Sequence, residues 1–423
     1  MRKEVFSSSA LTLGISLAGF LGFIYAAYVG RVIGPILYAD FGLALTLFYV
    51  LASTNTPLRN LLTNFTRKYF AEGSPHRTHV LLVKTLKYLI WITLIALPVL
   101  LGFLKPLRNL LNIQSAPGLI VVIFFMEALA LILNAYRGII AGMEKYWAYN
   151  TNFILEALLR IFLGTAILLF FPNAFGGVLA YPAAMILLIV FSRYQIASLP
   201  KEPYEPINTK EVRQYFFPLV LSSLFFSVLY SLDPLLAKIF LDAPGSVDAG
   251  FYMAASQISK FLYFIAISFN TIVINLASES AAKGVTSRKN LGILLAYYAV
   301  ISSAVVAVIY IIGMPVISLS FGRLFADPGL LQMLWPMCIG VITSGISLIL
   351  CHYLLGFRHY TVYIFPALAV ILEFLLIFFW HNTGLSIAWM YALSQTLLAI
   401  VMISITIFHK PLFVQTQPYP NPN

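Results

Sequence analysis

The chain is built from apolar runs that are long enough to cross a lipid bilayer, and only short polar gaps separate them. A membrane-spanning α-helix needs about 20 apolar residues. With 61% hydrophobic and 10% charged residues, the sequence is much more apolar than a soluble globular protein. It predicts an all-α polytopic membrane protein with twelve spans, at residues 6–30, 37–60, 80–104, 117–141, 147–171, 176–198, 214–240, 249–276, 290–313, 329–355, 360–380 and 384–408.

The basic residues between the spans predict the orientation of the chain. Loops on the side of the N-terminus hold seventeen Lys and Arg residues, whereas the opposite loops hold five. Because Lys and Arg accumulate in cytoplasmic loops, and an even number of spans returns the chain to its starting side, we expect both termini in the cytoplasm. The same bias accounts for the net charge of +11, so we expect no nucleic-acid partner.

A polar interval rich in proline and charge lies almost at the midpoint and divides the chain into two parts. We predict an N-terminal six-helix lobe at 1–198, a cytoplasmic linker at 199–213 and a C-terminal six-helix lobe at 214–409. The Pro-rich tail at 410–423 is expected to be disordered. No loop is long enough for a folded extramembrane domain.

The two parts also resemble each other. A shift of 211 residues aligns Gly34 with Gly245, Phe41 with Tyr252, Ala44 with Ala255 and Gly102 with Gly313. These positions fall at the same places in each six-span half, which favours a duplication. Two halves of six spans have the same orientation in the membrane, and such parallel repeats are typical of transporters with a central cavity. Pores and structural membrane proteins remain alternatives.

Several ionisable residues lie well inside the predicted spans. A charge at the centre of a bilayer costs at least about 2.5–3.5 kcal/mol, so such residues usually face a cavity or a charged partner. Two further arginines, Arg59 and Arg137, lie nearer the cytoplasmic ends of spans, where side chains can reach the membrane surface. The interior residues are Glu127, Glu156, Arg160, Asp233, Lys260 and Glu373.

Glu156 and Arg160 have a purely local interpretation. A Glu four residues before an Arg is the favoured spacing for an ion pair along a helix. This interpretation does not extend to Lys260 or Glu373, which have no opposite charge one turn away. The pair can therefore be structural, or Arg160 can contribute to a functional site.

Polar residues at helical spacing favour the functional interpretation. Asn55 and Arg59 lie on one face of the second span, and Gln257 and Lys260 lie on one face of the eighth. Together with Arg160 they predict a cavity lined by cations and amides from both halves. Such a cavity attracts anions, and phosphate is the natural candidate. The acids Glu127, Glu156, Asp233 and Glu373 would position these cations or carry a coupling ion.

The sequence offers no sign of catalysis. It contains no Walker A motif, no H-E-x-x-H and no G-x-S-x-G. The pair His76 and His79 has metal-like spacing, but it lies in a polar gap and is read as solvated. We expect no metal, no cofactor and no enzymatic activity.

One segment of the sequence resembles a known family. The segment from Arg31 to Leu47 is similar to the first periplasmic loop of Wzx-type polysaccharide flippases, which belong to the multidrug/oligosaccharidyl-lipid/polysaccharide exporter (MOP) superfamily. Arg31, Gly34, Pro35, Tyr38 and Phe41 fit the pattern of that loop; Ala39 stands where glycine is usual. The segment around Glu156 and Arg160 resembles the fifth span of the family, and Asp233 and Lys260 fall where such proteins often carry an acid and a base.

The resemblance implies a flippase in the bacterial inner membrane. It would move an undecaprenyl-pyrophosphate-linked oligosaccharide, such as an O-antigen, capsule or exopolysaccharide unit, to the outer leaflet by alternating access. Arg59, Arg160 and Lys260 would contact the pyrophosphate, with Arg31 near the outer mouth. Expected partners are membrane lipid, this lipid-linked substrate, and a polysaccharide polymerase with its chain-length machinery. We expect a monomer.

Two other functions fit less well. A cation-coupled multidrug antiporter of the same superfamily needs an acidic, aromatic cavity, and the predicted cations argue against one. An O-antigen polymerase or ligase usually carries a large periplasmic loop, whereas the longest outer loop here has only about a dozen residues.

Overall fold

The computed structural model describes residues 2–116, 118–200, 209–243, 245–282, 288–357 and 359–408. These residues form twelve α-helices and three short 3-10 turns, and they contain no strand. Most of the predicted linker and the whole predicted tail lie outside them. The helices are α1 (Arg2–Leu51), α2 (Asn55–Ala71), α3 (His76–Leu110), α4 (Gly118–Gly142), α5 (Tyr146–Phe170), α6 (Ala174–Gln195), α7 (Thr209–Leu241), α8 (Asp248–Ala282), α9 (Arg288–Phe321), α10 (Pro328–Gly356), α11 (Ile364–Phe379) and α12 (Gly384–Phe408).

The chain is a multi-pass membrane protein. Ten helical segments of the described residues are long and apolar enough to cross a bilayer. The predicted number was twelve. One reason for the difference is that the first two predicted spans lie in one helical segment, Leu17–Ala71. Where we expected a loop, α1 continues through a kink at Gly34, which has φ 73° and ψ 171° and precedes Pro35.

The helices form two groups that meet along α1. In the first group α4 packs against α2 and α6, and α5 packs against α1 and α6. In the second, α10 packs against α8 and α12, and α11 against α7 and α12. Helix α1 also packs against α7 and α8, so it joins the groups. We call residues before the linker the first half and those after it the second half; their division into separate lobes stays a prediction.

Equivalent positions of the two halves have similar surroundings. Gly34 and Gly245 both have positive φ, at 73° and 80°, and Phe41 and Tyr252 are both fully buried. Glycines lie at two close contacts between the halves. Gly42 lies against Met253, and Gly250 lies against the carbonyl oxygen of Pro35. These contacts bring α1 and α8 together at the end of the bundle near the kink, which we call the closed end.

A buried ion-pair cluster joins the halves at the closed end. Lys238 of α7 contacts Asp40 of α1 at 2.8 Å and Asp242 at 2.5 Å. The other oxygen of Asp40 accepts hydrogen bonds from the backbone N–H groups of Gln114 and Ser115, at 3.1 and 2.6 Å. With only 1% of its side chain exposed, Lys238 acts as a cross-link between the halves.

Candidate functional site: a cation-lined cavity between the halves

A partly open cavity lies between the two halves. Both cations with the strongest sequence signal, Arg160 and Lys260, line it, and Gln257 lies beside Lys260. Aromatic side chains form much of the remaining surface, and among the described residues the lining contains no acidic side chain. The lining residues are Ala18, Gly19, Gly22, Phe23, Ala26, Leu45 and Tyr49 of α1, Arg160 of α5, Tyr181 of α6, Tyr230 of α7, and Gln257, Lys260 and Phe261 of α8.

Arg160 is held from behind by a carboxylate that it shares with a second arginine. Glu156 Oε1 accepts from Arg160 Nη2 at 2.5 Å, and its Oε2 accepts from Arg137 Nη2 at 2.6 Å. The Arg160 guanidinium stacks on the ring of Tyr181, 4.1 Å from the ring centre. Arg160 is therefore fixed in place, and Arg137, Glu156 and Arg160 together carry one net positive charge.

Lys260 is held by a carboxylate of its own. Its Nζ donates to Asp233 Oδ1 at 3.0 Å and also contacts the backbone carbonyl of Tyr230. The second oxygen of Asp233 accepts from Tyr252 Oη at 3.0 Å. Lys260 Nζ lies 4.6 Å from the centre of the Tyr230 ring. The opposite charges of Asp233 and Lys260 cancel, so this buried pair is electrically neutral.

Glu373 lies behind the cavity in the second half. Its Oε2 accepts from Ser394 Oγ at 3.0 Å and from Gln395 Nε2 at 2.6 Å. Its Oε1 has no hydrogen-bond partner, and neither does Gln395 Oε1. In the described residues Glu373 forms no ion pair. The sequence placed it near the position of Glu156 in the other half, but the two carboxylates have different environments.

Three predicted site residues do not line the cavity. Asn55 Nδ2 donates to Glu127 Oε2 at 3.3 Å, between α2 and α4. Arg59 donates to Asn134 Oδ1 and to Thr56 Oγ1, both at 3.3 Å.

The polar face of the second predicted span, which carries Asn55 and Arg59, therefore points towards α4 and not towards the cavity. Arg31 lies elsewhere, where it donates to the carbonyl oxygen of Leu319 at 3.2 Å and ties α1 to α9 near the closed end.

Two features of the site were missed by the sequence. Arg137 does not reach the membrane surface. It is 3% exposed, donates to Asn152 Oδ1 at 2.8 Å, and stacks on Phe153 at 3.8 Å. The cluster of Asp40, Lys238 and Asp242 was also missed. The i,i+4 spacing of Lys238 and Asp242 could have indicated their pair, but the contact with Asp40 depends on how α1 packs against α7.

The geometry favours binding of an anion in contact with sugar-like or aromatic groups. Two fixed cations from opposite sides face a shielded space, where electrostatic attraction is stronger than in water. Guanidinium groups suit phosphate oxygens, and an ammonium adds a second point charge. In the described residues no group of three or more His, Cys, Asp and Glu could hold a metal ion, which gives no support to a metal centre.

The arrangement of helices matches solved transporter structures. No protein-family model and no curated protein sequence matches the chain. The inward-facing conformation of a multidrug resistance MATE family transporter of the MOP superfamily superposes with a TM-score of 0.75 at 13% identity, over 95% of this chain and 99% of that one. The lipid II flippase MurJ, in an inward closed conformation, gives 0.71 at 14% identity, over 95% and 87%.

A third similar structure is a MOP superfamily transporter from Pyrococcus furiosus, with a TM-score of 0.68 at 15% identity over 94% of each chain. For that protein a reversed polarity of the binding pocket is described as suggesting a different function. At these identities the likeness shows a shared fold. The predicted all-helical membrane fold is therefore confirmed.

Proposed function

We propose that the protein is a Wzx-type flippase that moves an undecaprenyl-pyrophosphate-linked oligosaccharide from the cytoplasmic to the outer leaflet of a bacterial inner membrane. The observation that carries the proposal is that Arg160 of the first half and Lys260 of the second half line one cavity, which in the described part of the chain has no acidic lining residue. The pyrophosphate would lie between the two cations. Phe23, Tyr49 and Phe261, together with Gln257, would contact the sugars, because sugar rings stack on aromatic faces and their hydroxyls bond to amides.

Alternating access follows from the way the halves meet. At the closed end the contacts of Gly42 and Gly250 and the cross-link through Lys238 hold the halves together. In the proposed orientation, with both termini in the cytoplasm, this end faces outward. Substrate would enter from the cytoplasmic side, and rotation of the halves would break the closed end and release it outward. The likeness to inward conformations of MATE and MurJ structures supports this cycle.

The buried acids have two different tasks in the proposal. Glu156 and Asp233 position Arg160 and Lys260. Glu373 has an oxygen without a hydrogen-bond partner in the described residues and would carry a coupling proton, because a buried carboxyl group favours its neutral form. A polysaccharide polymerase and its chain-length machinery are the proposed downstream partners, and the protein itself would act as a monomer without enzymatic activity.

The rival function is a cation-coupled multidrug antiporter, which the likeness to a MATE structure favours. A site for organic cations needs negative charge or open aromatic faces. Here the faces of Tyr181 and Tyr230 are already occupied by Arg160 and Lys260. The positive cavity therefore favours the flippase, and the reversed pocket polarity described for the Pyrococcus furiosus transporter is a precedent within this fold.

The test is a flipping assay in proteoliposomes with a fluorescent polyprenyl-pyrophosphate oligosaccharide. Wild-type protein should move the label between leaflets, and Arg160→Ala should slow it by at least about tenfold. Arg323→Ala is the matched control, because Arg323 is exposed on a 3-10 turn away from the cavity. Efflux of ethidium without flipping would instead support the antiporter and overturn the proposal.

A further inference from the structure

A second polar site lies in the first half, apart from the cavity. Glu127 of α4 and Asn55 at the start of α2 are each 7% exposed, and a single hydrogen bond of 3.3 Å joins them. Within the described residues, Glu127 Oε1 and Asn55 Oδ1 have no hydrogen-bond partner. Two buried oxygen acceptors with nothing to accept from are costly in a membrane protein. They indicate that something absent from the protein itself completes this site.

The surrounding charges do not neutralise Glu127. Arg59 of α2 bonds to Asn134, and Arg137 of α4 bonds to Glu156. In the part of the chain that the structure describes, Glu127 forms no ion pair. A single carboxylate therefore lacks one positive charge, which matches a monovalent cation and not a divalent one.

The helix beside the two side chains is interrupted. The 3-10 turn Ala52–Thr54 separates α1 from α2 and packs against α4. Pro57 has no N–H group, so it removes the donor that the carbonyl of Ser53 would receive in a continuous α-helix. Ser53 is itself buried. Interrupted helices that offer carbonyl oxygens are a recurring source of monovalent cation sites in transporters.

We propose that Glu127, Asn55 and the turn at Ala52–Thr54 form a binding site for a monovalent cation, for which Na⁺ and K⁺ are the probes. The ligands are carboxylate, amide and carbonyl oxygens, which hard cations prefer. The site joins the turn between α1 and α2 to α4, so an occupied site stiffens the first half beneath the cavity wall. The proposal does not depend on the identity of the transported lipid.

Thermal unfolding of the purified full-length protein tests this directly. Unfolding is measured in NaCl, KCl and choline chloride at equal ionic strength. A cation that binds only the folded state raises its stability, so the transition should rise by about 2–4 °C in about 150 mM Na⁺ or K⁺ relative to choline. Glu127→Gln should abolish this rise.

Glu72→Gln is the matched control, because it removes an exposed carboxylate of the first half, and it should leave the rise intact. Glu373→Gln tests a second buried carboxylate that has an oxygen without a hydrogen-bond partner in the described residues. Loss of the rise in Glu373→Gln with retention in Glu127→Gln would place the cation in the second half and overturn the proposal. A transition that depends on pH but not on Na⁺ or K⁺ would also overturn it, since Glu127 would then carry a proton.

Asn55→Ala keeps the test valid if Glu127→Gln does not fold. This variant keeps the carboxylate and removes one oxygen ligand, so binding of radioactive Na⁺ at equilibrium should weaken by about tenfold or more. Unchanged Na⁺ binding in Asn55→Ala would contradict the proposed ligand set. None of these measurements uses a lipid substrate, so they can fail while the flippase function stands, and the reverse also holds.

Discussion

Each side of the cavity presents one cation, Arg160 on the first-half side and Lys260 on the second-half side, but the two cations are held in different ways. On the first-half side, one carboxylate serves two arginines, so Arg160 and its partners carry a net positive charge. On the second-half side, Asp233 serves Lys260 alone, and the pair is neutral. The Arg160 side chain is 15% exposed and that of Lys260 only 5%. In the proposed function, the first half would therefore supply the charge that attracts an anion, and the second half would supply a polar contact.

The largest expected effect comes from removing the shared carboxylate. Glu156→Ala leaves Arg137 and Arg160 buried without their acceptor, and breaking a buried ion pair by removing one partner costs about 3–5 kcal/mol. We expect a correspondingly lower free energy of unfolding and little folded protein after purification. Chemical unfolding in detergent micelles measures the change.

Glu72→Ala is the control for this prediction. Glu72 pairs with Arg77 at 3.7 Å, but its side chain is 41% exposed, so the variant should lose about 1 kcal/mol or less. Equal losses in the two variants would show that the buried triad contributes no more than a surface pair.

The next effect separates the two sides of the cavity directly. Lys260→Ala leaves the Asp233 carboxylate buried with no cation, so we expect a loss of about 3 kcal/mol. Arg160→Ala leaves Glu156 paired with Arg137 at 2.6 Å, so we expect a loss of only about 1 kcal/mol. Thermal unfolding of the two variants should rank them in this order.

A second substitution checks the cause. Asp233→Asn together with Lys260→Ala removes both charges and keeps an acceptor for Tyr252, so it should recover at least about half of the stability lost by Lys260→Ala. If Arg160→Ala proves as unstable as Lys260→Ala, the shared carboxylate does not protect the first-half side.

The ion pairs on the two sides of the cavity also show which contacts the sequence could predict. The pair of Glu156 and Arg160 was predictable because its members lie one helical turn apart, and the structure confirms it at 2.5 Å. The third member, Arg137, lies on α4, and its contact depends on how α4 packs against α5. For the same reason the sequence found no partner for Lys260, although Asp233 on α7 lies 3.0 Å away.

The membrane spans were predictable because hydropathy is a local property of the chain. The direction that a polar helical face takes is not local. Asn55 and Arg59 were expected in the cavity because they share a face, but that face packs on α4 and contacts Glu127 and Asn134. At Gly34 the sequence predicted a break but could not distinguish a loop from the kink that the structure has.

A smaller effect is expected at the closed end. A Cβ atom added at Gly250 meets the carbonyl oxygen of Pro35, which is backbone and cannot rotate away. Gly250→Ala should therefore separate α1 from α8 and disfavour the closed end by about 1–3 kcal/mol. Spin labels at Asn112 and Ala243, in a background without Cys338 and Cys351, should show a larger population of long distances. Gly102→Ala, where an added Cβ meets nothing within 4 Å, should leave the distances unchanged.

The smallest expected effect comes from exchanging arginine for lysine at position 160 and lysine for arginine at position 260. Arg160→Lys keeps the charge but loses the planar group that stacks on Tyr181. Because a guanidinium binds phosphate through paired, directed donors, we expect flipping to slow by about tenfold, which corresponds to about 1.4 kcal/mol. Lys260→Arg keeps its charge beside Asp233 and should slow flipping by less than about threefold, because the second-half side needs only a point charge. Flipping rates of the two variants, normalised to the amount of folded protein, compare the sides directly. Equal rates would mean that the cavity recognises net charge alone, and that the stacked geometry of Arg160 serves the stability of the first half.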